Sequence, residues 1–327
     1  MPFIDFMHIA LYGEGGFYAS GGRAGRRGDF ITSPEVGPLF GAVLARAIDD
    51  VWRRIGRPDG FRIVEVGAGP GTLARSVVAA APECLENGTY VAVEVSDAQR
   101  ASHPDTVTSA ATLPEHVENG VIVVNELWDN LPFELWVYDQ GWRLAHVVEQ
   151  GDGFAEVLRN APVPDCLPSR AAHGQRAPVQ TGAVRWLEDA LSRLGTGSII
   201  GFDYCTALTA ELVSMPWRQW LRTYAGHERG THYLREPGSQ DITTQVCIDQ
   251  LSRVREPDAV RTQSQFLQRW GIDEMVEEGK RHWEAHAQRP DLAALRMRSR
   301  ISEAEALLDD EGLGGFTVLE WNVGSRE

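Results

Sequence analysis

The chain has 327 residues, 43% of them hydrophobic, and a formal net charge of -15 at neutral pH. That length and composition allow a full core in one enlarged domain and exclude a disordered chain. The acidic balance disfavours nucleic acid and anionic membrane surfaces as partners and favours a basic peptide or protein. Four cysteines, Cys84, Cys166, Cys205 and Cys247, lie far apart without a CxxC pair, so neither a metal site nor a disulfide framework is expected. The opening residues Met1 to Phe6 lack the character of a signal peptide, and no segment approaches the roughly 20 apolar residues of a membrane helix. A soluble, cytoplasmic protein is expected, with its oligomeric state open.

After a glycine-rich opening, Ser33-Pro34-Glu35 reads as a helix start, with a serine cap, proline in the first turn and an acid at the positive dipole end. Val36, Leu39, Phe40, Val43, Leu44, Ala47, Val51 and Ile55 then recur at helical steps along one apolar stripe. Residues 1–60 are therefore expected to form a preface packed on the main domain, which runs over 61–327. From Phe61 the pattern becomes strand (62–66), glycine turn, helix (72–81) and strand (90–95), followed by a buried-type strand at 121–124. A helix over 183–194 and a strand at 198–202 continue the series. Such alternation predicts an α/β fold with a mostly parallel sheet. Two insertions are expected, at about 133–181 and 205–260. The first reads as a β-meander over 133–160 and a surface loop over 161–181. Helices are expected over 263–308 and a closing strand over 316–321.

The turn Gly67-Ala68-Gly69-Pro70-Gly71 lies between a strand and a helix, where glycine lets a ligand approach the backbone and the helix N-terminus favours electron-rich groups. Glu65 lies in the preceding strand and Glu94 ends the next one, 23 positions after Gly71, where a carboxylate can accept both hydroxyls of a ribose. The dinucleotide fingerprint GxGxxG wants a glycine at position 72, but Thr72 stands there and the third glycine comes one place early. A nicotinamide oxidoreductase loses ground accordingly, and S-adenosylmethionine becomes the expected ligand.

In an open parallel sheet, ligands bind beyond the C-terminal strand edges. Asn125-Glu126-Leu127-Trp128-Asp129 follows one such edge, and Glu126 and Asp129 are candidates to dock and deprotonate a methyl acceptor. If that acceptor is a guanidinium, paired carboxylates can grip its fork and localise a lone pair on the attacking nitrogen. Asp129 as a turn cap is the competing reading. Asp203, Tyr204, Tyr224, His227 and Asp241 form a looser polar set, with Asp203 and His227 as further candidates.

Together these segments resemble the MidA family, the bacterial relatives of the mitochondrial complex I assembly methyltransferase. The resemblance rests on Ala10-Leu11-Tyr12, Gly16-Phe17-Tyr18, Gly28 through Glu35, Leu39-Phe40-Gly41, Glu65 through Thr72, Asn125 through Pro132 and Asp203-Tyr204. Further matches are Leu221 through Tyr224 with His227, Pro237-Gly238 with Asp241-Ile242-Thr243, and Gln263 through Ile272. It implies a Rossmann-like class I methyltransferase that binds S-adenosylmethionine and acts on protein arginine. It also implies that the Thr32-Ser33-Pro34-Glu35 loop joins Glu65, Gly67, Ala68, Gly69, Gly71, Glu94, Val95 and Asn125 around the cofactor, so that the preface walls the site. Trp128, Asn130, Cys205 and the Val246-Cys247-Ile248 segment depart from the family pattern, and they are expected on the acceptor side. A small-molecule acceptor, or an assembly factor that binds the cofactor without chemistry, stays open.

Overall fold

The computed structural model describes residues 1–19, 32–225 and 228–324. Its centre is a seven-stranded sheet in the spatial order Ala259–Thr262, Thr317–Val323, Leu194–Asp203, Val117–Asn125, Arg62–Val66, Thr89–Val93, Thr108–Ala110. The five strands from Leu194–Asp203 to Thr108–Ala110 run parallel, and the two at the other edge pair antiparallel. Val64 sits between Val91 and Ile122 in register. The run Val121-Ile122-Val123-Val124 is buried without exposure on either face, as a strand covered by helices on both sides requires.

Helix Pro38–Arg54 lays its predicted stripe on this sheet, with Phe40, Val43 and Leu44 fully buried and Ile48, outside that stripe, buried beside them. Each such side chain contributes about 1.5–3 kcal/mol of burial free energy. The helix start differs from the sequence expectation. Thr32 occupies the cap position of a short helix, Ser33–Val36, without a side-chain cap bond, and Gly37 separates that helix from the long one. Ser33 instead donates its hydroxyl to the Gln263 Oε1 at 2.8 Å, tying the opening segment to helix Gln263–Arg269.

The 133–181 stretch folds as a four-stranded antiparallel sheet in the order Gly153–Arg159, Trp142–Gln150, Glu134–Tyr138, Arg176–Val179. The meander is as expected, but the surface loop ends in the strand Arg176–Val179, whose Pro178 reads as loop and sits opposite Leu135 on the sheet edge. Helix Phe3–Tyr12 packs on this sheet, Phe3 meeting Phe133 at 5.3 Å and Tyr233 at 5.0 Å between ring centroids. A three-stranded ribbon, Glu228–Arg229, Leu221–Ala225 and Asp241–Thr244, completes the accessory layer. Among the described residues, no helix is long and apolar enough to cross a membrane.

Trp128 belongs to the core rather than to an acceptor wall. Its indole is 1% exposed and packs edge-on against Trp186 and Trp321, and a Cβ at Gly201 would stand 2.0 Å from the ring. Glycine at 201 makes room for the tryptophan at 128, so the two positions form one packing unit.

Candidate active site

A cavity of about 670 Å³ runs along the C-terminal ends of the central strands. Its floor is the glycine turn, where Gly67, Gly69 and Gly71 have φ of 75°, 52° and 81°, in the left-handed region where glycine alone is unstrained. Residues Gly67, Ala68, Gly69 and Val95 line the cavity, as do Thr32, Pro34, Glu65, Glu94, Asn125 and Glu126. The sequence reading thus gathers ten of its site residues around one space. Gly71 lies off the lining, its Cα side closed by the His103 ring and Pro104, and Ser33 lies behind it on Gln263. His227 is outside the described residues.

Glu94 is oriented by the backbone. Its Oε2 accepts the Gly69 N–H and its Oε1 the Ser96 N–H, each at 2.9 Å, so the turn and the acid are built as one piece. Both carboxylate oxygens keep lone pairs for donors from the cavity. Glu65, 5% exposed, accepts the Tyr90 hydroxyl at 2.8 Å, and burial pushes its carboxyl up to about 8 against the lowering effect of that bond. Its proton then makes it a donor at neutral pH. Opposite, Thr72 donates to Glu35 at 2.6 Å, which pins the Ser33–Val36 helix over the turn. Glu35 lines the cavity with its loop, as the resemblance implies, and Tyr12 and Tyr18 from the opening residues, which the sequence reading did not place there, line it too.

At the other end the chain leaves strand Val117–Asn125 through Glu126, whose φ of 52° is rare for a side-chain-bearing residue. The Glu126 carboxylate lines the cavity, accepting the Asn125 amide at 3.0 Å and the Tyr204 hydroxyl at 3.3 Å. Burial first, and the Asp129 charge second, push its carboxyl up to about 8. Holding a side-chain-bearing residue at that φ costs about 1–3 kcal/mol.

Behind Glu126 stand three more buried acids. The Asp129 Oδ2 accepts the Thr243 hydroxyl at 2.5 Å, while its Oδ1 is buried with no partner. Burial raises this carboxyl above the usual range, against the hydrogen bond from Thr243 and the Arg222 charge. Asp129 lies inside the Trp128–Asn130 turn, where the backbone N–H groups of residues 129 and 130 also lower its carboxyl, and the turn is capped from outside as well. That work falls to Asp203, which is fully buried and off the cavity lining. Its Oδ2 accepts the Trp128 N–H at 3.0 Å and the Asp129 N–H at 3.3 Å, while its Oδ1 accepts the Tyr204 N–H at 2.8 Å. Asp241 accepts the Tyr18 hydroxyl at 3.1 Å and the Asn130 amide at 3.0 and 3.1 Å, and burial pushes it up to about 7. Asn130, which departs from the family pattern, supplies one of the donors that satisfy the buried Asp241.

A parallel sheet with a glycine turn after its first strand, a backbone-held acid after its second and a ligand-sized cavity across both is the Rossmann-like fold of class I methyltransferases. The described site suits S-adenosylmethionine: Glu94 offers acceptors, the glycines of the turn bring backbone to the cavity, and the volume lies within the range of about 300–1,000 Å³ usual for such ligands. Residues 43–265 match the family model described as "Putative S-adenosyl-L-methionine-dependent methyltransferase". The chain belongs to that family.

Among curated relatives, it is 35% identical over 308 residues to the zebrafish mitochondrial protein arginine methyltransferase NDUFAF7, covering 80% of this chain and 71% of that protein. It is 29% identical over 189 residues to the Drosophila melanogaster homolog, covering 48% of this chain and 43% of the fly protein. The match to the rat protein is shorter and spans 14% of its length. A Burkholderia thailandensis protein solved with S-adenosyl-homocysteine bound has the same fold, with a TM-score of 0.84 and 24% identity, covering 100% of this chain and 89% of that chain.

Proposed function

We propose that the protein transfers a methyl group from S-adenosylmethionine to a guanidinium nitrogen of a protein or peptide arginine. One observation carries the acceptor class: Glu126 is held at strained backbone on the cavity wall, and the buried Oδ1 of Asp129 beside it has no hydrogen-bond partner. A buried acceptor left unpaired costs about 1–3 kcal/mol, and a planar cation with several N–H donors offsets that cost. The names of the fly and zebrafish relatives support the same class.

The cofactor's residues in this reading are Glu94 for hydroxyls, the Gly67–Gly71 backbone and Asn125 for the polar tail, and Glu65 and Thr32 around it. When bound, S-adenosylmethionine supplies a methyl group on a sulfonium. The chain's own work is positioning and charge. Glu126, as a carboxylate, accepts a guanidinium N–H and takes the proton that the attacking nitrogen must shed. Asp129 docks the second arm of the fork, Asp203 keeps the 126–129 turn in shape, and Asp241 with Asn130 and Tyr18 holds the facing wall. Thr32, Pro34 and Glu35 shut the cavity from the preface side and keep water out.

A cytoplasmic setting belongs to the same proposal, supported by four cysteines that are all free thiols. The test is methyl-labelled S-adenosylmethionine with a host lysate, followed by acid hydrolysis. Labelled methylarginine in protein supports the reading. Label confined to small molecules defeats it.

A further inference from the structure

Beyond the cofactor cavity lies a second crevice of about 500 Å³, lined by Tyr204, Arg222, Gln245, Asp310, Glu311 and Phe316 among others. Tyr204 lines this crevice and touches Glu126, which lines the cavity. Its hydroxyl donates to Glu126 on the cavity side, while its ring lies in the crevice, 4.1 Å from the Phe316 centroid. The Arg222 guanidinium sits over that same ring at 5.1 Å, and its Nε is buried with no hydrogen-bond partner. Its charge is felt by Asp129, whose Oδ1 is the unpartnered acceptor already described. Asp310 and Glu311 stand exposed at the mouth.

We propose that this crevice is the acceptor's way in: it takes a cationic, arginine-bearing peptide segment, and Arg222 holds the cation's place on Tyr204 until the incoming guanidinium displaces it. This rests on the arginine reading above. The chemistry is matched along the whole path. Acids at the mouth attract a basic segment, an aromatic pair in the throat accepts a guanidinium face-on, and the Tyr204 hydroxyl leads to Glu126 on the far side. Arg222 leaves one buried N–H unpaired where it sits, and the incoming guanidinium takes over its contact with the Tyr204 ring and its attraction to Asp129. No bond is made or broken in this step; one cation replaces another.

The experiment measures binding of acetyl-Gly-Arg-Gly-amide and its citrulline twin to the protein saturated with S-adenosylhomocysteine. The parent should prefer the arginine peptide by about tenfold or more. The pair Asp310→Lys with Glu311→Lys should weaken the arginine peptide about tenfold and leave S-adenosylhomocysteine affinity within twofold. The same charge change at the opposite strand ends, Asp59→Lys with Glu86→Lys, should leave both affinities alone. Arg222→Met should tighten the arginine peptide severalfold, which a purely structural arginine would not do. Unchanged peptide affinity in the Asp310/Glu311 pair, with affinity lost in Glu126→Gln, overturns the crevice and leaves the arginine reading standing. Equal binding of the arginine and citrulline peptides to the parent overturns both.

Discussion

Glu94→Gln isolates the cofactor contact with little change in shape. Each carboxylate oxygen of Glu94 accepts one backbone N–H, from Gly69 and from Ser96, at 2.9 Å. Glutamine offers one oxygen, so its NH2 must face one of those two amides, donor against donor. Either the side chain turns and abandons the cavity, or one amide loses its partner and the turn loosens beneath the ligand. A hydrogen bond to a charged group is worth about 1.5–3 kcal/mol, which at 1.4 kcal/mol per decade is roughly 10- to 150-fold in affinity. Calorimetric titration with S-adenosylhomocysteine should show that loss, with melting of the free protein lowered by only a few degrees. An affinity within twofold of the parent would refute the assignment of Glu94 to the ligand.

Gly69→Val should abolish S-adenosylhomocysteine binding in the same titration, because φ of 52° is strained for a β-branched residue and its Cβ would stand 3.2 Å from the Gln99 Oε1. Glu126→Gln should bind S-adenosylhomocysteine normally and lose about 100-fold or more in turnover of labelled methyl into peptide. With the free Glu126 carboxyl near 8, kcat/KM should rise with pH up to about 8 and then level, and this rise should vanish in Glu126→Gln. Stability runs the other way. Glu65, Glu126 and Asp241 bind their protons more tightly folded than unfolded, so the stability they contribute is complete below about pH 4 and is lost as pH climbs through about 7 to 8. Thermal melts should show Tm falling over that window, and less steeply in Glu126→Gln. Gly201→Ala should cost about 1–3 kcal/mol and several degrees of Tm, since the added Cβ overlaps the Trp128 ring.

The central sheet and the cofactor turn were legible because both are written locally. Val121 to Val124 can only be a strand buried on both faces, and three glycines between strand and helix mark a backbone that must curl to the left. The acceptor end was less legible because its roles are assigned by distant partners. Asp203 looks like a catalytic acid in sequence, yet three backbone amides from the 128–129 turn and residue 204 occupy its oxygens. Ser33 looks like a cap until Gln263, 230 positions away, takes its hydroxyl. Trp128 looks like a change of acceptor until Gly201 accounts for it. Arg222 stood only within a matched segment and the Asp310–Glu311 turn gave no local signal, the two being joined only where the fold brings Phe316 beside Tyr204.

The central claim is methyl transfer to arginine from a donor seated on the glycine turn. Mass spectrometry of a mixed arginine-peptide pool, incubated with the protein and methyl-labelled S-adenosylmethionine, tests it most directly. The account expects 14-Da increments on the guanidinium (heavier by the label), absent with Glu126→Gln and with Gly69→Val. Label that appears equally with Glu126→Gln, or only on side chains other than arginine, would contradict it.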